Sequence, residues 1–100
     1  VYLCLFGHTH LPMIIGDGKV VRKIDDGYRL EMKFMTPYMV NPGSVGQPRD
    51  GNPKAAFAVL DLEDNSITFR RVEYDIEETR RLILEAGLQR HLGDRLRIGK

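Results

Sequence analysis

Apolar positions open the chain as an unbroken run, Val1-Tyr2-Leu3-Cys4-Leu5-Phe6, which stops at Gly7. Such a run is too short to cross a membrane and too continuous for a half-exposed strand, so it predicts a strand buried on both faces. Met13-Ile14-Ile15 and Lys19 to Ile24 then flank Gly16-Asp17-Gly18, a connector of the kind hairpins use. Beyond the turn Asp25-Asp26-Gly27, the residues Tyr28, Leu30, Met32 and Phe34 alternate with Arg29, Glu31 and Lys33, the period of a strand with one wet face. Met39-Val40-Asn41 is a further short strand. Ala55 to Asp61 and Ser66 to Tyr74 make a hairpin around Glu63-Asp64-Asn65, the second arm apolar at Ile67, Phe69 and Val72.

The pattern then changes period. Asp75 followed by Glu78 is a helix-start signature, Ile76, Leu82, Ile83 and Ala86 supply a core-facing stripe at helical spacing, and Gly87 ends the helix. A second helix, about Leu88 to Arg97, repeats Leu88, Leu92 and Leu96, with His91 as a surface residue. No repeat or linker divides the chain, so strands and helical tail are expected to form one folding unit.

Composition narrows the class. With 42% hydrophobic and 29% charged residues and a net charge of +1, nothing points to nucleic acid or an anionic membrane as partner. The single cysteine, Cys4, excludes an internal disulfide, reads as a small buried hydrophobe, and makes a reducing, cytoplasmic setting the default. There is no signal-peptide pattern and no membrane span. The first residue is Val1, inside what reads as an interior strand, so residues ahead of it are expected in the parent protein.

Candidate chemistry sits where the first strand ends, in Leu5-Phe6-Gly7-His8-Thr9-His10-Leu11-Pro12. On an extended backbone, residues i and i+2 share a side, roughly 7 Å apart, so His8 and His10 could reach one metal or two neighbouring ones. Two ligands do not complete a site, because catalytic zinc takes three protein ligands plus water. The second candidate is the long loop Asn41-Pro42-Gly43-Ser44-Val45-Gly46-Gln47-Pro48-Arg49-Asp50-Gly51-Asn52-Pro53, too long for a simple turn and of the kind that carries function.

Taken together, G-H-T-H after an apolar strand and N-P-G-S-V-G-x-P-R-D-G about thirty residues later resemble the calcineurin-like metallophosphoesterases, in particular the small bacterial and archaeal phosphodiesterases and diadenosine-tetraphosphatase-like enzymes. The resemblance covers Leu5 to Pro12, Asn41 to Asp61, Arg71 to Asp75 and the Gly87-Leu88 to Arg95-Leu96 tail, with Met13 to Met39 as a longer hairpin insertion. It implies a four-layer α/β/β/α sandwich, of which this chain is an α+β part with mainly antiparallel strands followed by two C-terminal helices. It also implies two divalent ions (Mn, Fe, Zn or Ni), His8 ligating the second and His10 the first, and a phosphate-ester substrate. Asn41, Gly43 and Ser44 would shape the loop beside that centre, and Arg49 would be a candidate for contacting substrate. The family's D-x-H, G-D-x-x-D and G-N-H-D/E motifs do not occur in this sequence. The resemblance therefore implies the carboxy-terminal part of one such domain, inactive by itself, with the catalytic residues elsewhere, and inclined to associate with the upstream half or with a second copy. Two rivals bear on function: a non-catalytic scaffold like the retromer subunit, which resembles the same fold, and a zinc amidohydrolase, which would need a barrel of roughly 250 residues.

Overall fold

The computed structural model describes residues 2–100; Val1, the first position of the expected opening strand, lies outside the described residues. The elements are β1 (Leu3–Leu5), β2 (Met13–Gly16), β3 (Lys19–Val21), β4 (Arg29–Glu31), β5 (Tyr38–Asn41), β6 (Ala55–Asp61), β7 (Ser66–Val72), α1 (Ile76–Glu85), α2 (Arg90–Asp94) and a 3₁₀ turn at Arg95–Arg97. They build two sheets, ordered β1-β5-β2-β3 and β4-β7-β6. Every pairing is antiparallel except β1 with β5. This is the expected α+β arrangement of mainly antiparallel strands followed by two short helices.

The sheets meet through one core. Ile14, Tyr38 and Val40 come from the first sheet, Ile67 and Phe69 from the second, and Ile24 from the connection between β3 and β4. Tyr28 closes the edge of that core by meeting the Phe69 ring edge-on, with centroids 6.1 Å apart. The β2–β3 hairpin turns on Asp17 (φ +52°) and Gly18 (φ +72°), the two left-handed positions that a type I′ turn requires.

Several expectations are corrected. β1 is not buried on both faces: Tyr2 and Leu5 are 51% and 57% exposed, and Cys4 is exposed rather than a buried hydrophobe. The strand lies at the edge of its sheet and only β5 covers its flank. In register with Cys4, the residues Met39, Ile15 and Val20 continue an apolar row across the outer face of all four strands, and each of them is also exposed.

The alternating stretch is strand only over Arg29–Glu31. Pairing runs one residue further, as Met32 N–H donates to the Asn65 carbonyl and Asn65 Nδ2 to the Met32 carbonyl. Met35 then turns the chain at φ +56°, leaving Phe34 88% exposed instead of inward. On β7 the period of two carries Ile67 and Phe69 on to Arg71, so Arg71 is buried and Val72 faces out.

In the tail, Asp75 caps α1 by accepting the Glu78 N–H at 3.0 Å. At the other end the Leu88 and Gly87 N–H groups bond back to the Ile83 and Leu84 carbonyls, the Schellman pattern. The expected core-facing stripe is not buried; Arg80 is the buried residue of α1, and Leu82 is 51% exposed. The reason is that α1 packs on α2 and the 3₁₀ turn rather than on a sheet. The expected single second helix is divided after Asp94, with Leu96 buried beyond the break. His91 is exposed, and no helix is long and apolar enough to cross a membrane among the described residues.

Charge pairs hold this helical unit together. Arg97 makes two 2.8 Å bonds to Glu77, and Arg80 bridges Glu77 and Asp94. Arg97 first, and Arg80 after it, pull the Glu77 carboxyl down from 4.5 to about 2. A depressed carboxylate stabilises the fold fully above its unfolded value and loses that contribution as pH falls through the folded one. Circular dichroism should therefore show tail helicity declining between pH 4.5 and about 2, and Glu77→Gln should remove that component.

Candidate metal centre

Parallel pairing brings the two loops together. Because β1 and β5 run in the same direction, their carboxyl ends leave the sheet at one edge, the last rung being Phe6 N–H to the Val40 carbonyl at 3.0 Å. One strand releases Gly7-His8-Thr9-His10 there, and the other releases Asn41-Pro42-Gly43-Ser44.

The histidine segment is a tight turn, not the extended backbone expected for i and i+2 side chains on one face. His8 has φ +76° and His10 φ +62°, both left-handed. Thr9 N–H donates to the Gly7 carbonyl at 3.0 Å, and with His8 between them this is the classic γ-turn φ, a rare and strained conformation. Residues held this way cost of order 1–3 kcal/mol each and persist only where their surroundings over-determine them.

Asn41 supplies that determination. It is fully buried, and its Nδ2 donates to the Gly7 carbonyl (3.3 Å) and to Thr9 Oγ1 (3.0 Å). Its Oδ1 accepts the Gly43 N–H at 3.0 Å, so one amide ties both loops. Gly43 sits at φ +93° with its α-carbon packed where a side chain would run into Pro12 and Ala56. The Ser44 carbonyl accepts the Ala56 N–H, and Ser44 Oγ accepts the Gln47 N–H at 2.9 Å.

The loop then returns to the histidines. The Gln47 carbonyl lies 2.8 Å from His10 Nδ1. Arg49 is exposed and folds along its own loop; Nε and Nη2 both donate to Gln47 Oε1, at 2.9 and 2.5 Å. Asp50 accepts from Arg71 Nη2 through both oxygens. Thus His10, Asn41, Gly43, Ser44 and Arg49 join one hydrogen-bonded assembly with the His8 turn at its rim. Sequence reasoning missed Thr9, Gln47 and Arg71. Arg71 had a signal, the period of two from Ile67 and Phe69; the Gln47 contribution comes from the backbone and had none.

As a donor set this suits a divalent cation in part. A carbonyl can only accept, so the contact requires a proton on His10 Nδ1, and in the neutral ring the lone pair then lies at Nε2, a nitrogen with which imidazole ligates metals. Among the described residues, however, no three of His, Cys, Asp and Glu come together. The chain offers two imidazoles two residues apart, fewer ligands than a metal site needs.

No protein-family model matches the chain. It is 39% identical over 99 residues, 98% of its length, to an uncharacterized protein of Methanocaldococcus jannaschii, and spans 40% of that relative. Among solved structures, all of the chain superposes on 43% of a metallophosphoesterase from Sphaerobacter thermophilus, with 39% identity and a TM-score of 0.93. The fold and the sequence together therefore support the metallophosphoesterase superfamily for this chain.

Proposed function

We propose that this chain is the carboxy-terminal part of a metal-dependent phosphoesterase of the small prokaryotic, phosphodiesterase and diadenosine-tetraphosphatase-like branch, hydrolysing phosphomonoesters or phosphodiesters. His8 and His10 supply ligands to a centre of two divalent ions, Mn, Fe, Zn or Ni. The observation that carries this reading is the likeness of the whole chain to a metallophosphoesterase. The strained turn supports the ligand assignment, since backbone strain that a buried asparagine must enforce serves no purpose in a simple connector.

A bound pair of such ions lowers the pKa of a water and polarises the phosphoryl oxygens. The chain's own contribution is geometric. Asn41 keeps the His8 turn in one conformation, His10 presents Nε2, and the exposed Arg49 guanidinium stands on the same loop, able to meet an anionic phosphate. The uncovered row of Cys4, Met39, Ile15 and Val20 supports a further layer over the first sheet, as a four-layer sandwich has.

Replacing His8 or His10 by alanine in the intact protein is expected to remove most bound metal, read by elemental analysis after dialysis. Turnover of p-nitrophenyl phosphate and of bis(p-nitrophenyl) phosphate should fall with it, and the two substrates separate monoester from diester activity. Unchanged metal content and turnover in both variants would refute the assignment.

A further inference from the structure

We propose that the segment from Ser44 to Gly51 is a rigid bracket that sets the tautomer of His10, with the Gln47 carbonyl as its contact and with Asp50 and Arg71 as positioning residues. This deepens the metal reading above, which gives the bracket its purpose, but its test needs no metal.

In water the neutral imidazole of histidine prefers its proton on Nε2, which places the lone pair on Nδ1. The 2.8 Å contact to a carbonyl reverses that preference at His10, because only a protonated Nδ1 can donate to it. Such a contact selects a tautomer only if the carbonyl stays in place, and the loop is fixed along its length. Ser44 Oγ holds the Gln47 N–H, and Pro48 is fully buried. Both Asp50 oxygens grip Arg71, whose side chain is 5% exposed. The Gly51 N–H donates to the Gly99 carbonyl at 2.8 Å, so the end of the helical tail braces the loop from behind. Arg71 sits in β7, a strand of the second sheet, and its N–H donates to Asp26 at 2.9 Å. The bracket is thereby anchored to the framework rather than to solvent. Arg71 also keeps Nε and Nη1 buried without a partner among the described residues, a desolvation that an ordinary surface connector has no reason to retain. Carbonyl partners of this kind orient metal-binding imidazoles and settle which nitrogen is free.

The test is a long-range proton–nitrogen correlation spectrum of the intact, chelator-treated protein at about pH 8, above the ordinary imidazole range. His10 should show a protonated Nδ1 and an unprotonated Nε2, while the exposed His91 shows the pattern of free histidine. Asp50→Asn and Ser44→Ala, with near-UV circular dichroism confirming the fold, should each return His10 toward the free pattern and weaken binding of zinc alone about 10–100-fold. Ser44→Ala tests the bracket from its other end if Asp50→Asn does not fold. A His10 proton on Nε2 in the unsubstituted protein overturns the proposal, as does an unchanged tautomer in folded variants. The expected tautomer without any zinc binding upholds the bracket and overturns the ligand reading instead.

Discussion

Asp50→Ala is expected to lower the unfolding free energy by about 1.5–3 kcal/mol, the loss of a charged hydrogen-bond partner from a half-buried pair. The Arg71 side chain is 5% exposed and that of Asp50 26%. Water entering where the partly exposed carboxylate stood can replace only part of that bond, because Arg71 itself lies deeper. Arg71 has no other side-chain acceptor in reach, its Nε and Nη1 being unpartnered among the described residues already. Adding Arg71→Met to Asp50→Ala should recover part of the loss, because the charge that suffers burial is then gone as well. Urea unfolding of the three proteins measures this. A loss below about 1 kcal/mol for Asp50→Ala would mean that the pair behaves like a screened surface pair.

The second large effect is expected at Asn41. Asn41→Ala removes two donors and one acceptor from a fully buried position, leaving the Gly43 N–H without its acceptor and the Gly7 carbonyl with the Thr9 N–H alone. An unsatisfied buried group costs about 1–3 kcal/mol, so a destabilisation of about that size follows from the Gly43 N–H alone. The γ-turn should relax at the same time, read as faster hydrogen exchange of the Thr9 amide. Asn41→Asp should do at least as much harm, since it keeps the acceptor for Gly43 but sets a carboxylate against the Gly7 carbonyl. Thr9 exchange unaltered in both variants would show that the turn holds itself without Asn41.

What could be read from sequence was what neighbouring residues decide. The Asp17-Gly18 turn, the hairpin of β6 and β7 and the Asp75 cap each depend on contacts a few positions apart, and each lies where the pattern put it. The apolar run of β1 was legible as a strand but its burial was not, because burial depends on what covers a face and hydropathy records only what would tolerate covering. The same holds for α1, whose Leu82 and Leu84 stay exposed and whose Ile76 and Ile83 are only half-buried because the helix packs on the tail. At the site, G-H-T-H and N-P-G-S were visible as motifs. Their conformation was not, since the left-handed histidines are imposed by an asparagine 32 positions from Thr9, and the group facing His10 is a main-chain oxygen that any residue could supply.

The parallel pairing of β1 with β5 has a kinetic side. Parallel neighbours cannot be joined by a tight turn, and Phe6 meets Val40 across a connection that contains β2, β3 and β4. Contacts of such long sequence separation close late, once loop entropy has been overcome. The histidine turn is thus a product of assembly: while Asn41 is still unplaced, only the local Thr9 N–H to Gly7 carbonyl and Leu11 N–H to Thr9 Oγ1 bonds hold His8 and His10 in left-handed backbone, and an incompletely folded molecule has the motif without the site.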